Sequence, residues 1–357
     1  MKSNYDILGN HIRLIDTRNR ESITDRVLGI NIDKFFMPSV ANVIGTDLSK
    51  YKLITKGKFA CNPMHVGRDE RLPVALYDEE KPAIVSPAYF MFEVIDNSIL
   101  NEDYLMMWFR RPEFDRICWL HTDGSVRGGI TWDDICRLEL PIPSIENQLE
   151  IVNSYKTITE RIALKQKIND NLDDTAQTLY QKYFESNSDK SSWKQGTVGD
   201  VLQLQRGHDL PRTEMTGGKY PVAGSTGTIG YHDEFTAEAP VIVMGRSGNI
   251  GNPRLYLCNC WTHNTSLYVK QIYEAEPLWV FYLLKNLNYD GFVGGSAVPT
   301  LNRNDVHAYG IAIPPLELQK SFSQKVMSLI YCKEENLSEI EKLQELQKII
   351  LTTMSSR

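Results

Sequence analysis

The sequence predicts an α+β fold: two mixed α/β domains separated by two long antiparallel helices that pair as an intramolecular coiled coil, the whole related by a pseudo-twofold internal repeat. Three observations predict it. A block of sequence recurs 171 residues downstream of itself. Each copy of that block runs into a long apolar stripe at helical spacing. The rest of the chain consists of short β-prone runs punctuated by Gly and Asn.

The repeat comes first, because it sets the architecture. Gly124 to Gln148 aligns without a gap on Gly295 to Gln319, with seven of twenty-five positions identical. These include Asp134/Asp305, Ile142/Ile313, Pro143/Pro314, Glu146/Glu317 and Gln148/Gln319. Chance at average composition gives roughly one or two identities. Ile130/Leu301 and Ile135/Val306 exchange one aliphatic for another. Upstream, Leu105–Phe109 echoes Leu278–Tyr282, and Leu8-Gly9-Asn10 echoes Val198-Gly199-Asp200. Four segments follow: 1–142 and 191–314 as the two globular modules, 143–190 as a central helix with its linker, and 315–357 as a C-terminal helix.

The helices are defined by start signals and by periodicity. Ser144 suits an N-cap, with Glu146 in the first turn where the helix dipole favours an acid. Pro315 suits the first helical position, with Glu317 two residues on. The first stripe runs Ile151, Tyr155, Ile158, Ile162, Ile168, Leu172, Ala176, Leu179, Tyr183, free of Gly and Pro until the polar stretch Ser186–Lys190. The second runs Phe322, Val326, Leu329, Leu337, Ile340, Leu343, Ile350, Met354. At about forty residues each, the helices span roughly 60 Å. A single apolar stripe of that length needs a partner. A homo-oligomeric coiled coil, or core helices of one large domain, answers the need. An intramolecular antiparallel pair answers it better, because each helix follows a copy of the same module. Its seam is expected at Ile151, Tyr155, Ile158, Ile162, Leu172 and Leu179 against Phe322, Val326, Leu337, Ile340 and Ile350. Within the modules, runs such as Val241–Met244 and Ser266–Val269 read as strands. One amphipathic helix is expected in each, near Glu102–Arg110 and Pro277–Leu287.

Bulk properties narrow the function. The chain has 357 residues, 42% hydrophobic and 24% charged, with a net charge of −6. No segment sums to a positive charge, so a nucleic-acid partner would have to be held by placed cations rather than by a basic field. The six Cys include no C-x-x-C pair, the first ten residues lack a signal peptide's apolar core, and no stretch reaches membrane-span length. A reduced, cytoplasmic setting is expected.

Catalytic and cofactor motifs fail one by one. Gly245-Arg246-Ser247-Gly248-Asn249-Ile250-Gly251 lacks the Gly-Lys-Ser/Thr of a P-loop, and Pro253 with a strand-like run follows where a dinucleotide loop needs a helix. It reads as a tight turn between strands. Cys258-x-Cys260-x-x-His263 lacks the second ligand pair of a zinc site. Asp78-Glu79-Glu80-Lys81 precedes Pro82 in a polar turn, and Cys61-Asn62-Pro63-Met64 does not fit the Asn/Asp-Pro-Pro-aromatic motif of an adenine methyltransferase. No nucleophile–His–acid grouping stands out. No metal site is expected. What remains is a set of loop cations and amides suited to base edges: Arg18, Arg20, Asn62, His65, Arg68 and Arg127 in the first module, and Arg206, His208, Arg246, Asn249 and Arg303 in the second.

On these residues the chain resembles the specificity (S) subunit of Type I restriction–modification systems. Leu140-Pro141-Ile142-Pro143-Ser144-Ile145-Glu146-Asn147-Gln148 and Ile313-Pro314-Pro315-Leu316-Glu317-Leu318-Gln319 look like the Pro-rich lead-in to that family's two conserved helices. The Gly124–Asp134 and Gly295–Leu301 segments resemble the ends of its target-recognition domains, and Trp193 to Val201 the opening of the second one. The resemblance implies a non-catalytic, sequence-specific DNA-binding subunit of a DNA-modification and restriction endonuclease complex. Each target-recognition domain would read one half of a split site in double-stranded DNA. The helices would act as ruler and docking surface for two methyltransferase (M) subunits and two restriction/translocase (R) subunits. S-adenosylmethionine, ATP and magnesium would sit on those partners, none on this chain. The chain is somewhat short for the family, so a related Type II assembly with fused cleavage and methylation is the alternative reading. A coiled-coil scaffold that does not bind DNA is another.

Overall fold

The structure is a computed structural model that describes residues 5–40, 45–64, 66–122, 128–289, 293–294 and 300–354. Two compact units divide it, one of residues 1–164 with 339–357 and the other of residues 165–338. The division differs from the four segments expected from sequence. Each unit takes one globular module together with the helix segments that pack on it, so the cut falls inside both long helices.

In the first unit, Tyr5–Ile7 pairs antiparallel with Glu139–Pro141. A four-stranded sheet runs in the order Ile12–Ile15, Phe90–Val94, Lys58–Cys61, Val74–Tyr77. A second sheet runs Phe36–Pro38, Val27–Ile30, Ala83–Val85, Lys52–Ile54. The helix Glu102–Phe109, capped by the Asn101 side chain, buries six consecutive residues under the first sheet. There Phe59, Phe92, Phe109 and Phe114 form an aromatic core. A further helix, Pro112–Leu120, was not foreseen; only Phe114 and Cys118 of its nine residues are buried, too few to mark a stripe.

The second unit repeats the plan. Lys194–Thr197 pairs antiparallel with Gly310–Ile313. Its four-stranded sheet runs Leu202–Arg206, Ser266–Ile272, Val241–Gly245, Gly251–Tyr256, the same order as the first unit's first sheet. The helix Pro277–Asn286 takes the place of Glu102–Phe109. A three-stranded sheet, Gly227–His232, Tyr220–Gly224 and Trp261–Thr262, adds a second small core around Val241, Val243 and Cys260. Small details recur too. Leu8–Asn10 and Val198–Asp200 are both 3-10 turns. A Cβ at Gly9 would meet Cys136 at 2.9 Å, and one at Gly199 would meet His307, the repeat-equivalent of Cys136, at 3.2 Å.

The two identical glutamines of the repeat do identical work. Gln148 and Gln319 are almost fully buried. Gln148 Oε1 accepts from the Asn101 backbone N–H at 2.9 Å, and its Nε2 donates to the carbonyls of Pro143 and Ile99 at 2.8 Å. Gln319 Oε1 accepts from the Glu276 N–H at 2.9 Å and its Nε2 donates to the Pro314 carbonyl at 2.8 Å. Asn101 and Glu276 are the N-cap residues of the two equivalent helices. Each glutamine therefore ties the start of a long helix to the start of its module's own helix.

The long helices are Ile145–Tyr180, continued as a π-helical turn Gln181–Glu185, and Leu316–Thr353. Ser144 stands at the N-cap, its Oγ accepting from Asn147 N–H at 3.4 Å. Pro315, expected at the first helical position, stands one place ahead of the helix, which begins at Leu316, and its carbonyl takes the N–H groups of Leu318 and Gln319. In the first unit, Ile158 and Ile162 pack with Ile340 and Leu343, Arg161 pairs with Glu339, and Ile151, Tyr155 and Ile350 lie against the core. In the second unit, Leu179, Phe322 and Val326 join the main core, while Leu172 is half-buried. Leu337 corrects the expected seam: it is 40% exposed, as is Ile168 at 37%. The seam positions beside them belong to Asn336 and Asn169, both buried, with Asn336 Nδ2 donating to Asn169 Oδ1 at 2.9 Å. Lys165 donates to Asn336 Oδ1 at 2.8 Å and Lys333 to Asp173 at 2.5 Å. A polar layer thus interrupts the apolar one, the kind of layer that specifies register at some cost in stability.

Candidate nucleic-acid interface

In the second unit the chain brings three arginines to one cavity. Arg206 ends the strand Leu202–Arg206, Arg246 follows the strand Val241–Gly245, and Arg303 opens the short helix Arg303–His307. Together with Leu267, Thr300, Leu301 and Asn302 they line an open cavity of about 380 Å³. The convergence rests on backbone pairing between segments distant in sequence. Leu301 N–H donates to the Arg246 carbonyl at 2.8 Å, and Ser247 bridges to Thr300.

The Gly245–Gly251 turn is the tight connection between strands that its sequence indicates. A Cβ at Gly245 would lie 1.5 Å from the Asn249 carbonyl oxygen, so only glycine closes the turn; Gly248 takes φ +78°. Asn249 is committed to this geometry. Its Nδ2 donates to the Ser225 carbonyl and its Oδ1 accepts from Asn252. His208 packs beside Trp261 and Tyr268, its ring nitrogen 3.3 Å from Thr262 Oγ1, and does not line the cavity.

Among the described residues no carboxylate lines this cavity. Arg206 reaches Asp209 only at 3.5 Å, and among the described residues neither Arg246 nor Arg303 has an ionic partner. Arg246 is half-buried all the same. Forked donors gathered without acids, on an apolar floor of Leu267 and Leu301, form a site for a guest rich in acceptors or negative charge.

His307 holds this site together, and no pattern in the sequence points to it. The register shift between Gln203 and Leu204 frees the Leu204 N–H from the ladder, and His307 Nε2 accepts it at 2.8 Å. The bond needs an unprotonated Nε2. Burial first, and the Arg303 guanidinium second, push the His307 pKa below 6.5. A histidine favoured neutral in the fold contributes stability that is present above pH 6.5 and lost as pH falls through its lowered folded value. Urea unfolding midpoints between pH 7.5 and 5 should therefore fall more steeply for the wild type than for His307→Gln. Parallel slopes would remove His307 from this role.

The first unit's candidates are held in separate local contacts. Arg18 donates to the Lys50 carbonyl at 2.7 Å and pairs with Asp16. Asn62 Oδ1 accepts from Met64 N–H, which makes it a turn residue. Arg68 forks onto Asp69, and Arg20 is exposed. His65 and Arg127 lie outside the described residues. This unit does carry a cation-rich cavity of about 540 Å³, lined by Lys34, Arg71, Arg110 and Arg116 together with Asp33, Glu70 and Asp115. Its acids nearly balance its bases. Lys34 is buried, pairs with Asp115 at 2.7 Å and lies over the Phe114 ring; burial, opposed by Asp115, lowers its pKa.

Residues 190–349 match the Type I restriction modification DNA specificity domain, a stretch that contains the whole three-arginine cavity. Among curated protein sequences none matches the chain. The crystal structure of a Type-I restriction-modification system S subunit from M. genitalium superposes with TM-score 0.62 at 16% identity, covering 99% of this chain and 96% of that one. A structure from work on complex assembly and conformational transition of the type I R-M system gives TM-score 0.51 at 15% identity, over 98% and 96%. At such identity the likeness establishes fold. The two sheet-bearing units and the two long helices, Ile145–Tyr180 and Leu316–Thr353, share the fold of that S-subunit structure. Among the described residues no helix is long and apolar enough to cross a membrane, and no group of three or more His, Cys, Asp or Glu is placed to hold a metal ion.

Proposed function

We propose that this chain is the DNA-reading specificity subunit of a Type I restriction–modification complex, a non-catalytic cytoplasmic protein that recognises a split site. The observation that carries the reading is the cavity of Arg206, Arg246 and Arg303, with no carboxylate among its described lining residues, inside the stretch that matches the DNA specificity domain and on a module present twice. Base edges in the major groove offer the paired acceptors that arginine forks match, while phosphate contacts fix position.

A subunit of net charge −6 gains little from non-specific attraction to a polyanion. Two methyltransferase subunits would supply most of the backbone clamp and would carry S-adenosylmethionine. Two restriction/translocase subunits would carry ATP and magnesium.

The reading is tested by incubating the chain, with and without its methyltransferase subunits, with sheared genomic DNA, trimming with exonuclease and sequencing what is protected. The expected product contains two short fixed segments separated by a spacer of constant length and free sequence, with stronger recovery when the methyltransferase is present. Recovery of no common sequence with the partner present would show that the chain does not read DNA.

A further inference from the structure

We infer that the two modules read their half-sites by different chemistry, the second taking guanine through Arg246 and Arg303, the first using no arginine at the equivalent place. The inference rests on the DNA-reading function proposed above and adds the base class and its location.

The equivalence of positions comes from the backbone. In the second unit Leu301 N–H donates to the Arg246 carbonyl; in the first, Ile130 N–H donates to the Pro63 carbonyl. Ile130 and Leu301 are partners in the sequence repeat, so Pro63 stands where Arg246 stands. One step on, the N-cap residues Thr131 and Asn302 correspond, and each opens a five-residue helix. The first residue of that helix is Trp132 in one unit and Arg303 in the other. Trp132 is turned to the core, its ring 5.8 Å from Phe90 and 5.3 Å from Phe92. The sheet strand that ends at Arg206 has as its counterpart Ile12–Ile15, and Asp16 follows it, paired with Arg18. Three arginines in one module thus face proline, tryptophan and an acid in the other.

A base edge fits the second cavity better than a phosphate does. The cavity is concave with two leucines in its floor, and Arg246 is half-buried where the strand ends. A phosphate is satisfied by mobile surface cations. Guanine offers O6 and N7 side by side, the pair that one arginine fork spans. Among the described residues, Pro63, Trp132 and Asp16 offer no such fork at the equivalent place, so the first module reads its half-site with other groups.

The test compares methylomes, by single-molecule sequencing, of the source cell carrying the wild-type chain, Arg246→Ala, Arg303→Ala, Arg246→Lys or Arg303→Lys. Lysine keeps the charge and loses the fork. In both kinds of variant a guanine in one half-site should relax to other bases, with preference at that position falling roughly tenfold to a hundredfold, while the other half-site stays fixed. An unchanged motif in both alanine variants would overturn the inference while leaving the DNA-reading function intact. Equal loss of methylation at all sites in the alanine variants, restored by lysine, would make these arginines phosphate contacts and also overturn it. A wild-type cell with no split methylated motif would overturn the proposed function, and the inference with it.

Discussion

Phe322→Ala should lower the stability of the second unit by about 3–5 kcal/mol, the cost of removing a fully enclosed aromatic ring. Phe322 has no exposed surface. Its ring lies 5.1 Å from Phe184, 5.5 Å from Tyr282 and 6.0 Å from both Tyr180 and Tyr183. These neighbours come from the first long helix and from the module helix Pro277–Asn286, so the ring, itself on the second long helix, is a common anchor for three elements. A cavity there cannot close without moving a helix end. Phe322→Leu keeps most of the volume and should cost much less, about 1.5 kcal/mol or below. Because two compact units need not unfold together, calorimetry rather than a single midpoint is the proper measurement. A loss below 1 kcal/mol for the alanine variant would show that the cluster is not packed as described.

The repeat was legible in sequence because its identities mark joints rather than surface. Gln148 and Gln319 bond the same backbone groups in the two units, and Pro143 and Pro314 present carbonyls that these glutamines hold. The long helices were legible from their stripes until the stripe turned polar. A search for apolar residues steps over Lys165, Asn169, Lys333 and Asn336, and so lands on Ile168 and Leu337, one residue off the seam. Only side-chain packing shows that the seam there is made of amides and lysines. The candidate arginines were visible as loop residues, but Arg206, Arg246 and Arg303 span nearly a hundred positions. What unites three of the candidate cations and leaves Arg18 and Arg68 in local ion pairs is strand pairing across that span, set by the sheet order. His307 was invisible for the same reason, since its partner N–H is left free only where the pairing of Leu202–Arg206 with Ser266–Ile272 shifts register.

Gln148→Ala should be the costliest polar substitution in the first unit, with a loss of about 3 kcal/mol from stranding a buried donor and two carbonyls. The Asn101 N–H has no other acceptor in prospect, because it belongs to the unpaired first turn of a helix. Gln319→Ala should cost less, since Gln319 Nε2 serves the Pro314 carbonyl where Gln148 Nε2 serves both Pro143 and Ile99. Gln148→Glu separates the two ends of the side chain. It keeps an acceptor for Asn101 but sets a carboxylate oxygen against two carbonyl oxygens, so the acid should bind its proton more tightly in the fold than its unfolded value of about 4.3. A carboxyl with a raised folded pKa contributes stability that is complete below the unfolded pKa and lost as pH rises through the folded one. Gln148→Glu should therefore approach wild-type stability near pH 4 and fall away towards pH 7, whereas the deficit of Gln148→Ala should not depend on pH. Urea unfolding of the three proteins across that range gives the comparison. A Gln148→Glu deficit that stays constant with pH would mean that the Nε2 end faces water, and that this glutamine does not tie the long helix to its module.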